Sequence, residues 1–327
     1  MTGGVRRNRL QVAADVRYRL SRFAYCRRQD NTLVLESPRS TFRTTIWGPL
    51  GAAVIVELAQ PRAYPELARH VGDLPADAAR ELVTLLAHVE LLTTVDDIGR
   101  SAEDLDPALR TWAFHDLLFH SRSRAGRHDY PMGGHYPFAG RGDAPPALKP
   151  PPAGRLIPLP TADLDRLERE DPPLTRALEQ RRSIRAHGAR PITTAQVGEF
   201  LYRVARVRRL HPPATVAGST YESTDRPYPS AGAAYELELY LTVNRCADLA
   251  EGIYHYDPLG HRLGQVAQQG AHTEALLEQA KASCAAPGRP QLLITVTSRF
   301  ERLSWKYCSV AYANTQKNVG VLFQTMY

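Results

Sequence analysis

The stretch RPYPSAGAAYELELYLTV, Arg226 to Val243, changes its pattern midway. Its first half carries Pro227, Pro229, Ser230, Ala231 and Gly232, residues small enough for a backbone to pass close to a neighbour. Its second half places Leu237, Leu239, Leu241 and Val243 on one face and Glu236, Glu238, Tyr240 and Thr242 on the other, which is the period of a strand. Two readings of the turn stand side by side: a plain connection into a strand, or a platform where a flat ligand meets N–H groups and a serine hydroxyl.

The flanking segments set the fold class. Upstream, EDPPLTRALEQRR predicts a helix with Asp171 as cap, Pro172 in the first turn and Leu174, Ala177 and Leu178 on one face. TTAQVGEFLYRVARV predicts a second, with Thr193 and Gln196 as a capping box and Val197, Phe200, Leu201 and Val204 along one side. Downstream, GIYHYDPLGHRL reads as a hairpin turning at Asp257–Gly260, EALLEQAKA as helix, QLLITVTSRF as strand and QKNVGVLFQTMY as helix, with Val319, Leu322, Phe323 and Met326 sharing a face. Helices mixed with hairpin strands predict an α+β domain over 174–327. Its last helix carries no closing signal before Tyr327, so the domain is expected to be C-terminally incomplete.

Ahead of it, eleven of the twenty-five prolines fall between Pro131 and Pro173, and 131–173 is expected to be an extended linker. Residues 1–130 predict a small helical, winged-helix-like domain. TLVLESPRSTFRTTIW, Thr32 to Trp47, reads as a hairpin, and ADAARELVTLLAHVELL reads as a helix with Leu82, Leu85, Leu86 and Val89 inward.

Composition narrows the class without naming a function. At 43% hydrophobic and 23% charged, the 327 residues are those of folded domains. The net charge of +7 comes almost wholly from arginine, since Lys149, Lys281, Lys306 and Lys317 are the only lysines. Eight arginines between Met1 and Asp30 would suit an acidic partner or nucleic acid, yet they form no stripe with interleaved aromatics, and a solvated basic tail accounts for them. Neither nucleic acid nor a membrane is an expected partner. Cys26, Cys246, Cys284 and Cys308 lack metal or disulfide spacing, and His115, His120 and His128 lack the i, i+4 spacing of a helical metal pair; no metal is expected, and a reducing, cytoplasmic setting is.

One basic cluster stands apart. RRSIR sets Arg181, Arg182, Ser183 and Arg185 at a helix exit, where guanidinium forks and a hydroxyl suit a phosphate and also suit the negative end of a helix.

RRSIR, RPYPSAGAAYELELYLTV, EGIYHYDPLGHRL and LSWKYCSVAYANTQKNVGVLFQTMY, in that order, resemble the SagB-type (McbC- and ThcOx-like) dehydrogenases of the nitroreductase-like flavin fold. WAFHDLLFHSRSRAG, Trp112 to Gly126, is similar to the segment before the linker in longer members. The resemblance implies FMN, its phosphate and ribityl chain on Arg181, Arg182, Ser183 and Arg185, and its ring beside Pro229, Ser230, Ala231 and Gly232 across a homodimer interface. It implies Lys306 and Tyr307 as the catalytic pair in oxidising thiazoline or oxazoline rings of a precursor peptide, beside a cyclodehydratase. Two alternatives remain at this stage: a peptide-binding scaffold of the same complex without redox chemistry, and another flavin-dependent reductase.

Overall fold

A computed structural model describes residues 12–131 and 133–327. Arg6, Arg7 and Arg9 of the basic N-terminal stretch lie outside the described residues. The chain divides into two compact units, the first ending at Asp129 and the second running from Tyr130 to Tyr327.

In the first unit, strand β1 (Arg17–Leu20) is followed by a three-stranded meander, β2 (Tyr25–Gln29), β3 (Thr32–Glu36) and β4 (Thr44–Ile46). The expected hairpin is present, with Leu33 opposite Ile46, and β2 extends it on the other side. Three helices follow: α1 (Gly48–Glu57), α2 (Tyr64–His70) and α3 (Ala76–His88). Strand β5 (Leu92–Val95) then returns antiparallel to β1, and the short helices α4 (Ala102–Leu105) and α5 (Phe114–Arg122) close the unit.

The helix expected to run through Leu92 stops at His88, because Glu90 takes a left-handed turn (φ 58°) into β5. Its inward stripe is Ala79, Val83 and Leu86, spaced i, i+4, i+7, while Leu85 is 55% exposed. Val83 and Leu86 of that stripe pack with Val54, Leu58, Leu67 and Leu91 in the core of this unit.

The second unit is built on a five-stranded antiparallel sheet. Before it come β6 (Leu156–Pro158), α6 (Leu164–Glu170), α7 (Leu174–Gln180) and α8 (Thr194–Ala205). Four short strands follow, β7 (Arg209–Leu210), β8 (Ala214–Val216), β9 (Ser219–Tyr221) and β10 (Thr224–Asp225). The long elements are β11 (Leu237–Val243), β12 (Gly252–Asp257), β13 (Arg262–Gln268), α9 (Ala271–Ser283), β14 (Leu292–Ser298), α10 (Phe300–Lys306) and α11 (Ala311–Met326). The sheet order is β14-β11-β12-β13-β6.

Thr193 and Gln196 form the expected capping box, Gln196 N donating to Thr193 Oγ1 at 3.2 Å and Thr193 N to Gln196 Oε1 at 3.0 Å. The cap at Asp171 is a correction. Asp171 ends α6, which Asp163 caps, and α7 starts from Pro173 with no side-chain cap. Two prolines in sequence, Pro172 and Pro173, cannot continue α6 because they lack N–H groups, so the expected helix starts after them as α7, and α6 precedes it inside the expected linker. Leu174 and Leu178 of α7 are 73% and 52% exposed, so its expected apolar face is uncovered in the single chain.

The 131–173 segment is extended around its prolines but includes helix α6, which corrects the expectation of an extended linker throughout, and it packs within the second unit. Pro158 pairs opposite Arg262 on β13, at the sheet edge where a missing N–H is tolerated. Further upstream, Pro145, Pro146 and Ala147 still own carbonyls, and guanidinium forks take them: Arg299 donates to Pro146 O and Ala147 O at 2.8 Å each, and Arg302 to Pro145 O. Ala147 is 1% exposed under this strap.

Both faces of β11 are consequently buried. Leu237, Leu239, Leu241 and Val243 pack with Val197, Leu201, Tyr254, Tyr256 and Leu322. On the other face Glu236 and Glu238, expected to face water by alternation, are buried as well. Glu238 is neutralised from two sides: His255 Nε2 lies 2.7 Å from Oε2, and Arg299 Nε lies 2.8 Å from Oε1 as an ion pair whose angle falls short of a hydrogen bond.

Arg302 donates to Ala234 O at 2.7 Å and Glu222 O at 3.0 Å besides Pro145 O, so replacing it strands one buried and two half-buried carbonyls. Arg302→Ala is expected to lower unfolding free energy by about 3 kcal/mol or more, and Arg302→Lys to recover only part, as a point charge replaces a fork. Urea denaturation of the three proteins measures this.

Candidate functional site

Strand β14 delivers α10, a helix of seven residues whose buried side chains Arg302, Leu303 and Trp305 leave Lys306 and Tyr307 at its exit. Tyr307 N donates to Leu303 O at 2.7 Å, closing the helix and turning both side chains toward the Ser230–Ala234 turn. There Lys306 Nζ donates to Gly232 O at 2.9 Å.

Gly232 is required at its position for two reasons. Its φ is +60°, and a Cβ there would stand 2.3 Å from Tyr307 Oη and 2.7 Å from Lys306 Nζ. The residues around it, Ala233 (φ 51°) and Tyr235 (φ 46°), also hold left-handed conformations, each costing about 1–2 kcal/mol in an ordinary residue. Something must hold the turn in that shape.

Asn318, buried on α11, does so. Its Oδ1 accepts from Ala231 N at 3.0 Å, and its Nδ2 donates to Ser230 Oγ at 3.2 Å and to Glu236 Oε1 and Oε2 at 3.0 and 3.2 Å. Ser230 Oγ in turn accepts from Tyr235 N at 3.1 Å. A buried amide with donor and acceptor both used ties the platform to the helix behind it.

The electrostatics follow from burial. Glu236 is fully buried and its carboxyl is pushed above the ordinary value by desolvation, against the pull of Asn318, Ser230 and Arg302. Lys306 is held below the ordinary lysine value, first by desolvation and then by the positive charge of Arg302. Desolvation raises Tyr307. The result is an amine biased toward its neutral, proton-accepting form beside a phenol biased toward keeping its proton, an arrangement suited to proton transfer.

Of the residues singled out in the sequence, Pro229, Ser230, Ala231, Gly232, Lys306 and Tyr307 are brought together. The basic cluster is elsewhere in the chain's own fold. Arg181, Arg182, Ser183 and Arg185 lie exposed on the segment after α7, and the guanidinium of Arg181 stands 5.6 Å over the Tyr327 ring. Tyr327 is nine residues beyond Asn318 along α11, a rise of about 13 Å from the level where Asn318 touches the turn. Among the described residues no carboxylate pairs with these arginines. Within one protomer the cluster and the turn therefore do not converge.

Four residues of the site carried no motif signal. Arg302 belongs to no motif, Glu236 figured only in the alternation of the strand, and Tyr136 and Tyr221 sit in a proline-rich and an irregular segment. Asn318 left a weak trace: the buried stripe of α11 is Ala311, Thr315, Asn318 and Leu322, which shifts the expected apolar face and leaves Phe323 49% exposed. Among the described residues no group of three or more acidic, His or Cys side chains is placed to hold a metal ion. No described helix is long and apolar enough to cross a membrane.

A buried carboxyl whose pKa is raised on folding stabilises the fold only while protonated. Its contribution is full below the ordinary value of 4.5 and is lost as pH rises through the higher folded value. Unfolding free energy of the wild type should therefore decline over the interval above pH 4.5 relative to Glu236→Gln, as guanidinium melts at stepped pH would reveal.

Comparison with known proteins adds to this geometry. Residues 18–129 match the family described as cyanobactin oxidase ThcOx, and residues 178–327 match the nitroreductase family. Both are oxidoreductase families, and nitroreductase family members typically use flavin cofactors. A nitroreductase-type protein of Methanocaldococcus jannaschii is 25% identical over 165 residues, covering 50% of this chain and 74% of its own length. Among solved structures, a nitroreductase-type protein of Anabaena variabilis gives a TM-score of 0.39 at 20% identity, over 64% of this chain, which spans 36% of that protein's length. The Escherichia coli microcin synthetase McbBCD complex, solved with truncated pro-MccB17 bound, gives 0.34 at 20% identity, over 64% of this chain and 74% of the matched one. A ThcOx-matching segment leading into a nitroreductase-matching domain is the order of the SagB-type, nitroreductase-like dehydrogenases, which this chain therefore resembles along most of its length.

Proposed function

We propose that the protein is an FMN-dependent dehydrogenase that oxidises thiazoline or oxazoline rings of a ribosomally made precursor peptide to thiazole or oxazole, working as a homodimer beside a cyclodehydratase in the cytoplasm. The observation that carries this reading is the amine of Lys306, 2.9 Å from the Gly232 carbonyl, at a turn where no side chain fits.

Two features support a flavin at this place. The turn at Gly232 lets Lys306 and Tyr307 lie directly on backbone that no Cβ covers, and its neighbours Ser230 and Ala231 are held by Asn318. Arg181, Arg182 and Arg185 offer exposed guanidinium forks with no acidic partner among the described residues, beside Ser183. Since these lie about 13 Å along α11 from the turn, we assign the phosphate to the cluster of one subunit and the ring to the turn of the other. FMN, when bound, supplies a two-electron acceptor for hydride.

Aromatising an azoline breaks one C–H bond as a proton and a second as a hydride. Lys306 Nζ takes the Cα proton, its amine held below the ordinary lysine value by desolvation and the charge of Arg302. Gly232 O orients that amine, and Tyr307, whose hydroxyl keeps its proton, donates a hydrogen bond to the ring heteroatom. The ThcOx-matching segment, 18–129, suits a peptide substrate rather than a free small molecule.

The test has two parts. Incubated with FMN, the purified chain should turn yellow, and Arg181→Ala with Arg185→Ala should weaken FMN binding by about tenfold or more, as charge-assisted contacts to phosphate are removed. With an azoline-bearing peptide, the loss of two hydrogens seen by mass spectrometry should fall at least about a hundredfold in Lys306→Ala, the usual loss on removing a general base. Undiminished oxidation by Lys306→Ala would refute the assigned base.

A further inference from the structure

The half-buried amine of Lys306 has more around it than the turn it touches. Three phenol rings surround Nζ, with centroids at 5.3 Å for Tyr221, 5.8 Å for Tyr136 and 5.9 Å for Tyr307. They come from three separate stretches: Tyr221 from β9, Tyr136 from the proline-rich strap, and Tyr307 from the end of α10.

Tyr221 is the most firmly seated. Its ring stacks on Trp305 at 5.7 Å and 22°, lies 5.4 Å from the guanidinium of Arg302, and is 8% exposed. Its hydroxyl donates to Gly232 O at 3.4 Å, so the one carbonyl accepts from both Tyr221 and Lys306, using two lone pairs. Tyr136 is fixed in turn by its N–H on Lys306 O at 3.0 Å and by edge contact with Trp305 at 5.6 Å.

Two opposing effects meet at the amine. Ring faces favour the ammonium form, by about 0.5–2 kcal/mol each when desolvated. Exclusion of water and the nearby Arg302 disfavour it. The charged or titratable groups around Nζ are Arg302, Tyr136, Tyr221 and Tyr307; no carboxylate pairs with Lys306 among the described residues. Desolvation and the charge of Arg302 hold the amine below the ordinary lysine value.

We propose that Tyr221 is a positioning residue for Lys306: its ring seals the amine from water, and its hydroxyl, sharing the Gly232 carbonyl, sets the direction in which Nζ points. Tyr136 is the second wall, which makes the proline-rich strap part of the site. This deepens, and rests on, the reading of Lys306 as the base.

The roles of ring and hydroxyl separate on substitution. Tyr221→Phe keeps the ring and removes the hydroxyl, while Tyr221→Leu removes the aromatic wall. Competitive acetylation of the intact protein at stepped pH, with Lys306 followed by peptide mass spectrometry, reads the amine's titration without substrate or cofactor. Lys306 should titrate below an ordinary lysine in the wild type and in Tyr221→Phe, and move back toward the ordinary value in Tyr221→Leu. Circular dichroism establishes that each variant is folded, and Tyr136→Leu, which leaves the Trp305–Tyr221 stack in place, should shift the titration the same way.

In FMN-loaded protein with an azoline peptide, Tyr221→Phe should lower kcat about tenfold with KM unchanged, and the pH at half-maximal rate should stay at the wild-type position. An unchanged Lys306 titration in both Leu variants would overturn the sealing role, and an unchanged kcat in Tyr221→Phe would overturn the orienting role. If Lys306→Ala still turns over, the base assignment fails while the acetylation result continues to decide the sealing role.

Discussion

A buried guanidinium has to be satisfied, and in this protein the way Arg302 is satisfied organises the site. At 1% exposure it cannot shed its charge into water, and it spends its donors on main-chain carbonyls of Pro145, Glu222 and Ala234. Those three carbonyls belong to the proline-rich strap, the approach to β10 and the turn before β11. One side chain thus ties three segments to α10, and four residues later α10 ends in Lys306. The same charge sits close enough to Lys306 to disfavour a second cation.

The neighbouring polar groups share this logic. β11 presents Glu236 and Glu238 to a face that the strap covers, so each carboxylate needs an internal partner: Asn318 for the first, His255 and Arg299 for the second. Such networks hold geometry well because any displaced member strands the others without water. Here the geometry held is a turn with three demands on it: left-handed backbone at Gly232, Ala233 and Tyr235. Strain of this kind persists where the surroundings over-determine it, and it marks a place where backbone shape serves chemistry.

Where a basic cluster and a reactive amine lie apart in one chain, symmetric association can bring one copy's cluster to the other's turn. The uncovered Leu174 and Leu178 on α7, just before Arg181, fit that arrangement, since they are the apolar side chains an adjoining copy would cover. The proposed FMN site therefore makes cofactor binding and pairing of subunits one event.

Much of the second domain was legible in the chain itself. Period-two alternation marked β11, the Asp257–Gly260 turn marked the β12–β13 hairpin, and the Thr193–Gln196 box marked the start of α8, because each is a local preference needing no distant partner. PSAG and Lys-Tyr were legible as motifs through resemblance. What alternation could not tell was that the polar face of β11 would be buried, since it depends on a strap ninety residues upstream whose carbonyls, rather than its absent N–H groups, do the binding. The stripe of α11 and the placing of Tyr136 and Tyr221 around Lys306 were likewise settled by tertiary packing. Sequence by itself determined the elements and the reactive residue types; only the folded chain decided which of them share a dry, charged interior, because desolvation and long-range hydrogen bonding act between segments that are strangers in sequence.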